Sequence, residues 1–122
     1  DSLLYSEEHL WAAWTDDAVT IGLTDYAQHE LGDTIFVELP ALDESFARLD
    51  VFGTIEAVKQ VAELFSPIGG VVLATNPRLA KEPELVNSDP YGEGWLVRLR
   101  PKSIAERDEL LGTAEYREHT GD

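Results

Sequence analysis

Residues 51–72 read VFGTIEAVKQVAELFSPIGGVV, two apolar runs separated by a short break at Val58-Lys59-Gln60. The first run, 51–58, is rich in β-branched and apolar residues, and Val61–Phe65 resumes an apolar/polar alternation. Two such runs across a short break specify a β-hairpin. The break holds no Gly and no Asn-Gly, so the commonest two-residue turns are disfavoured. A type I-like turn is left, which most residues tolerate. Lys59 then stands at the tip, its amine in water and its stem on a stiff ribbon. A tip lysine is ordinarily just a solvated charge. Here it is one of three lysines, with Lys81 and Lys102, and it is flanked by Glu56 and Glu63 in a strongly acidic chain.

The composition excludes several classes of function. Cys and Met are both absent, so disulfides, thiolate metal sites and a cysteine nucleophile are ruled out, and any sulfur chemistry must arrive on a cofactor. The formal charge of −15 repels nucleic acid and anionic membrane surfaces, and no Lys or Arg precedes Arg48. Such acidity solubilises a surface, and it also suits a shuttle drawn to basic docking sites on partner proteins. No apolar run approaches the ~20 residues that span a bilayer, and no charged-then-apolar leader is seen. At 122 residues the expectation is one domain, residues 1–122, with a core of its own.

Taken in order, Leu3-Leu4-Tyr5 reads as a short edge strand, followed by the polar Ser6-Glu7-Glu8-His9. Residues 10–14 and 18–23 read as strands joined by a turn at Thr15-Asp16-Asp17. Thr24 reads as the N-cap of a short helix over 25–31 that Gly32 ends in a left-handed conformation. A strand over 34–39 stops at Pro40. Residues 41–50 are expected to be a loop. After the hairpin, Ser66-Pro67 breaks the strand and Gly69-Gly70 supplies a tight reversal into a strand over 71–75. Three prolines make 76–94 an irregular surface wrap. A strand follows over 94–100, then a helix capped by Ser103 and ended by Gly112, then one or two turns over 113–118. Short, evenly spaced strands with a helix inserted early and another at the end predict a mainly β fold of two small sheets packed face to face.

Nothing in the chain composes an enzyme's site. His9, His29 and His119 are scattered, without metal-ligand spacing. Gly92-Glu93-Gly94 lacks the strand-GxGxxG-helix context of a nucleotide site, and Ser66-Pro67 is no nucleophile elbow. A Schiff-base lysine needs burial to lower its pKa from ~10.4, whereas Lys59 is expected in water.

The segment Glu56-Ala57-Val58-Lys59, then Glu63-Leu64-Phe65-Ser66-Pro67, then Gly70, resembles the lipoyl-attachment segment of the H proteins of the glycine cleavage system. The likeness extends over most of the chain. It includes Tyr5-Ser6-Glu7-Glu8-His9-Leu10-Trp11, the block from Ile21 through Gln28 with Leu31-Gly32-Asp33, and Val37-Glu38-Leu39-Pro40. The segment from Pro83 to Trp95 and Ala114-Glu115-Tyr116 complete it. The resemblance implies a barrel-sandwich hybrid of the lipoyl/biotinyl type and a monomeric carrier without catalytic activity of its own. It implies lipoate in amide linkage to Lys59, with Glu56 and Gly70 read by the lipoate-attaching enzyme. The implied partners are a PLP-dependent glycine decarboxylase, a tetrahydrofolate-dependent aminomethyltransferase and a flavin-containing dihydrolipoamide dehydrogenase. The implied place is the cytoplasm, or alternatively a mitochondrial matrix after removal of a transit peptide.

Three positions depart from the family's pattern. Leu10 stands where a Glu is usual, Glu30 where relatives often carry His, and Glu63 where Asp is common. A carboxylate is thereby lost beside the cleft that would hold the arm. Glu30 or Glu63 can substitute for it, with His29 as a third cleft candidate. The alternatives are an H-like relay that passes lipoyl groups to other enzymes, a biotin carrier, and a scaffold with Lys59 unmodified. The biotin reading lacks the Met residues that usually flank such a lysine.

Overall fold

The structure, a computed structural model, describes residues 3–15 and 18–121. Three strands open the chain as an antiparallel meander: β1 (Leu3–Tyr5), β2 (Leu10–Trp14) and β3 (Val19–Leu23). Their registers set Leu4 opposite Ala12 and Ala12 opposite Ile21, so one face gathers apolar side chains. Helix α1 (Asp25–Leu31) follows at once. The Thr24 hydroxyl accepts the Ala27 N–H at 3.2 Å, the N-cap bond expected from sequence, and Asp25 sits in the first turn. Gly32 ends the helix at φ 84°, ψ −164°. That is a positive-φ conformation for which glycine is suited, but not the left-handed helical cap expected.

The chain then forms β4 (Thr34–Glu38), β5 (Ser45–Phe46), β6 (Val51–Ala57), β7 (Val61–Phe65) and β8 (Gly70–Thr75). Helix α2 (Leu85–Ser88), β9 (Val97–Pro101) and α3 (Thr113–Thr120) complete it, with 3-10 turns at Pro77–Ala80 and Ile104–Glu109. The strands make two antiparallel sheets. One has six strands in the order β1-β2-β3-β9-β8-β5, and the other has three in the order β4-β6-β7. Ile21, Val72 and Leu99 from the large sheet meet Val37, Ile55 and Leu64 from the small one in a single buried cluster. Each fully buried Leu, Ile or Val there is worth about 1.5–3 kcal/mol over its exposed state.

Several local expectations are corrected. Residues 41–50 are not all loop, because Ser45 and Phe46 pair with Val71 and Gly70 as an edge strand. The reversal after β7 is not made by glycine flexibility: neither Gly69 nor Gly70 has a positive φ. It is held instead by buried Ser66, whose hydroxyl donates to the Ile68 carbonyl and whose own carbonyl accepts the Leu49 N–H. Gly70 already belongs to β8, where a Cβ would stand 2.7 Å from the Arg100 carbonyl oxygen. Residues 76–94 contain a 3-10 turn and α2 rather than irregular chain throughout. The last strand begins at Val97 rather than at Gly94. Ile104–Glu109 is a 3-10 turn and not an α-helix, and Ser103 makes no side-chain cap. The turn expected at 15–17 shows Thr15 bonded through both N–H and hydroxyl to the Ala18 carbonyl. Asp16 and Asp17 lie outside the described residues.

Candidate functional site

The β6–β7 pairing runs from Val51 opposite Phe65 to Glu56 opposite Val61. Beyond it the Ala57 N–H donates to the Gln60 carbonyl at 2.8 Å, so Val58 and Lys59 are the two turn residues. Neither has a positive φ, which fits the unprimed turn that the sequence predicts. Two further bonds fasten this turn to the body. The Val58 N–H donates to the Asp33 carbonyl at 3.1 Å, and the Gln60 side-chain amide donates to the Glu30 carbonyl at 3.2 Å. Lys59 is exposed beyond them. It is free at its end and fixed at its root.

The corner to which the turn is tied is itself locked by Asn87 of α2. Its Oδ1 accepts the Thr34 N–H at 2.9 Å, and its Nδ2 donates to the Gly32 carbonyl at 2.8 Å and to Gln28 Oε1 at 3.1 Å. The segment from Pro83 to Trp95 is fastened in turn by Trp11, whose indole N–H donates to the Pro90 carbonyl at 2.9 Å. The end of α1 is thus set by side chains from a distant part of the sequence.

Beside the turn lies a cleft of about 320 Å³ between α1, the start of β2 and strand β7. Leu10, Leu23, Leu31 and Leu64 give it an apolar floor, with Ala27 and Ala62. Glu8, Glu30 and Glu63 put three carboxylates on its walls, with His9, Tyr26 and Gln60 between them. A second recess of about 310 Å³, lined by His29, Gly32, Asp33, Val58 and Lys59, shares Glu30 and Leu31 with the first. Lys59 therefore lines a recess that adjoins, at Glu30 and Leu31, a cleft that is apolar below and carries carboxylates on its walls. An apolar chain rooted at Lys59 and ending in a cation matches both surfaces.

Behind the cleft, the Tyr116 hydroxyl lies 2.8 Å from His9 Nδ1 and 2.8 Å from the Thr24 hydroxyl. Tyr5 stacks on the Tyr116 ring at 4.7 Å. Burial pushes the Tyr116 phenol up to about 12. Burial, then the neighbouring His119, holds His9 below the usual histidine range, while Glu8 and Glu30 pull the other way. His9 has φ 71°, and its carbonyl accepts the Thr24 N–H at 3.1 Å. This strained residue joins the meander to α1.

Glu30 and Glu63 fall together in the cleft. His29 does not: it lines the recess by Lys59, with its ring nitrogen 3.2 Å from the Asp25 carbonyl oxygen. Glu56 stands on the outer face of the hairpin, and Gly70 lies beyond the hairpin's root rather than beside its tip. Leu10 is a buried part of the cleft floor. Sequence reading missed Glu8, Tyr26, Gln60 and Asn87. Glu8, Tyr26 and Asn87 sit inside the blocks of resemblance, but nothing local in the sequence shows which way they face.

Two small packed antiparallel sheets with short helices and a C-terminal helix define a domain of the lipoyl/biotinyl-type fold. A family model described as "Glycine cleavage H-protein" matches residues 3–122. The glycine cleavage system H protein of Rubrobacter xylanophilus is 50% identical over 114 residues, spanning 93% of this chain and 88% of that one. Its counterpart in Bacteroides fragilis is 47% identical over 113 residues, spanning 93% and 90%. The crystal structure of a glycine cleavage system H protein from Mycobacterium marinum superposes with a TM-score of 0.91 at 32% identity, covering 99% of this chain and 98% of the other. The chain belongs to the glycine cleavage H-protein family.

Proposed function

We propose that the chain is the lipoyl carrier of a glycine cleavage system and that the Lys59 side-chain nitrogen is its attachment point. The observation that carries this reading is the placement of Lys59 in a turn tied to α1, in a recess that adjoins the cleft. Attached lipoate supplies a disulfide that opens and re-forms and that takes up the one-carbon amine of glycine. The chain contributes placement and catalyses no reaction itself. Leu10, Leu23, Leu31 and Leu64 offer the arm's apolar portion a dry bed, while Glu8, Glu30 and Glu63 offset the positive charge of an amine at its end. The loss of a carboxylate at position 10 is thus answered by three others on the same cleft. This favours the glycine cleavage reading over a relay confined to lipoyl transfer.

The partners of this reading are the PLP-dependent decarboxylase, the aminomethyltransferase, the dihydrolipoamide dehydrogenase and a lipoate-attaching enzyme. Intact mass after incubation with that last enzyme tests the attachment: one lipoyl increment is expected on the wild type and none on Lys59→Arg. Glycine-dependent CO₂ exchange with the decarboxylase then tests the carrier. A loaded chain that supports no exchange is a relay, and a chain that cannot be loaded is a scaffold.

A further inference from the structure

The small sheet carries apolar side chains on its outer face that its strand pattern does not require. The β4–β6 register shifts between Thr34 and Phe36, which makes Ile35 the extra residue of a bulge. Successive residues of a regular strand point to opposite faces, and bulges re-aim them. Here Ile35 and Phe36 are both in solvent, 51% and 55% exposed. Phe36 lies opposite Glu56, and Glu56 lies opposite Val61, which is 64% exposed. Val58, 67% exposed, closes this row at the turn. Four of the ten large hydrophobics exposed among the described residues therefore gather around Lys59. The next row of the same face begins with Glu38 and Thr54. The patch is apolar around the tip and anionic at its centre and rear.

We infer that the apolar side chains set around Glu56, namely Ile35, Phe36, Val58 and Val61, are the docking surface for the enzyme that acylates Lys59. The inference rests on the carrier reading and names the partner that meets the same turn. Reach identifies the occupant. An enzyme that builds an amide at Nζ must bring its acyl carbon within bonding distance of that nitrogen, one lysine stem from the backbone. Its walls must then touch the side chains beside the turn. Enzymes that handle the far end of the attached arm work many bonds farther out and need no such contact. Charge gives the partner's chemistry: an apolar shelf for Phe36 and Val61, rimmed by Arg or Lys facing Glu56 and Glu38. In the step it performs, the neutral Nζ attacks the carbonyl carbon of a lipoyl adenylate. The N–C bond forms, the C–O bond breaks with its electron pair leaving on AMP, and the Nζ proton passes to a base of the enzyme.

The test uses the unmodified full chain, an ATP-dependent lipoate ligase, lipoate and ATP, with loading followed by intact mass over a range of chain concentrations. Phe36→Ala, and Ile35→Thr combined with Phe36→Ala, are expected to raise KM for the chain at least tenfold while kcat stays within twofold. Ile104→Ala, which removes an exposed apolar side chain outside the small sheet, is expected to change neither. The reaction of Lys59 with a small N-hydroxysuccinimide ester is expected to be the same in all variants. An unchanged KM in the double variant overturns the inference. So does a parallel loss of ester reactivity, which would make these side chains mere supports of the turn. A double variant that loads normally but fails in glycine-dependent CO₂ exchange gives the face to the decarboxylase, and that also overturns it. If the wild type takes up no lipoate, or takes it up on Lys81 or Lys102, the carrier reading itself falls.

Discussion

Asn87 Oδ1 accepts the backbone N–H of Thr34, a residue 53 positions away, at 2.9 Å. Thr34 is buried, so its N–H has no access to water in exchange. Asn87→Ala would leave that donor unpaired and free the Gly32 carbonyl, a loss of about 1–3 kcal/mol. The expected result is a lower urea midpoint with an unchanged m-value. Asn87→Asp keeps the acceptor but removes both donated bonds and sets a carboxylate against the Gly32 carbonyl, so it is expected to destabilise as well. Loading of Lys59 should slow in both, because the corner that Asn87 locks also holds the turn through the Asp33 and Glu30 carbonyls.

Gly22 offers a second test of how the site is braced. It lies opposite Trp11 in the β2–β3 pair, and a Cβ there would stand 2.5 Å from the indole ring. Gly22→Ala must push the indole aside and strain its bond to the Pro90 carbonyl. An overpacking cost of about 1–3 kcal/mol is expected. Near-ultraviolet circular dichroism should report the displaced indole, with strand content in the far ultraviolet retained.

What the sequence made legible follows from the range of the forces involved. The β6–β7 hairpin, its unprimed turn and the Thr24 cap on α1 rest on neighbours a few residues apart, so pattern alone located them. Strand β5 is two residues long and exists only because Ser45 and Phe46 find β8 from a distance. Gly69-Gly70 signals flexibility in the sequence, whereas the fold uses Gly70 for the close approach of β8 to the Arg100 carbonyl. The cleft was half legible. Resemblance singled out Glu30 and Glu63, but Glu8 and Tyr26 join them only through the docking of the meander on α1. Ile35 gave no signal, since its exposure depends on a bulge that an alternating pattern conceals.

The His9–Tyr116 pair makes stability depend on pH at both ends. Burial and His119 hold folded His9 below its usual 6.5, so the unfolded chain binds the extra proton first. The contribution from His9 is therefore complete above pH ~6.5 and is lost as pH falls through the lower folded value. Tyr116 has the opposite sign. Its phenol is raised to about 12, so its contribution is complete below pH ~10 and is lost as pH rises towards 12. A His9→Asn variant, chosen because Asn tolerates positive φ, should flatten the acid limb relative to wild type in urea melts. Tyr116→Phe should flatten the alkaline limb. It should also remove a phenolate that appears towards pH 12 in an ultraviolet titration of the folded protein. Acid limbs that superimpose for His9→Asn and wild type would show that His9 titrates alike in both states.

The carboxylates of the cleft act on the arm only if an arm ending in a cation enters it. Glu8, Glu30 and Glu63 are exposed enough that each attraction is worth about 0.2–1 kcal/mol. A single Glu→Gln change then weakens retention by a factor of about 1.5 to 5. Removing all three compounds the loss, to the extent that separate sites add. Salt probes the same force without mutation, because at physiological ionic strength exposed charges are screened beyond ~8 Å. Loaded wild type is expected to slow in glycine-dependent CO₂ exchange as salt rises. The triple Gln variant is expected to start slower and to respond less. The part of the wild-type slope that survives in the triple variant belongs to docking of the acidic surface on a basic partner, and the difference between the two slopes belongs to the cleft. Identical salt profiles would mean that the three carboxylates never meet the arm and serve only the acidity of the surface.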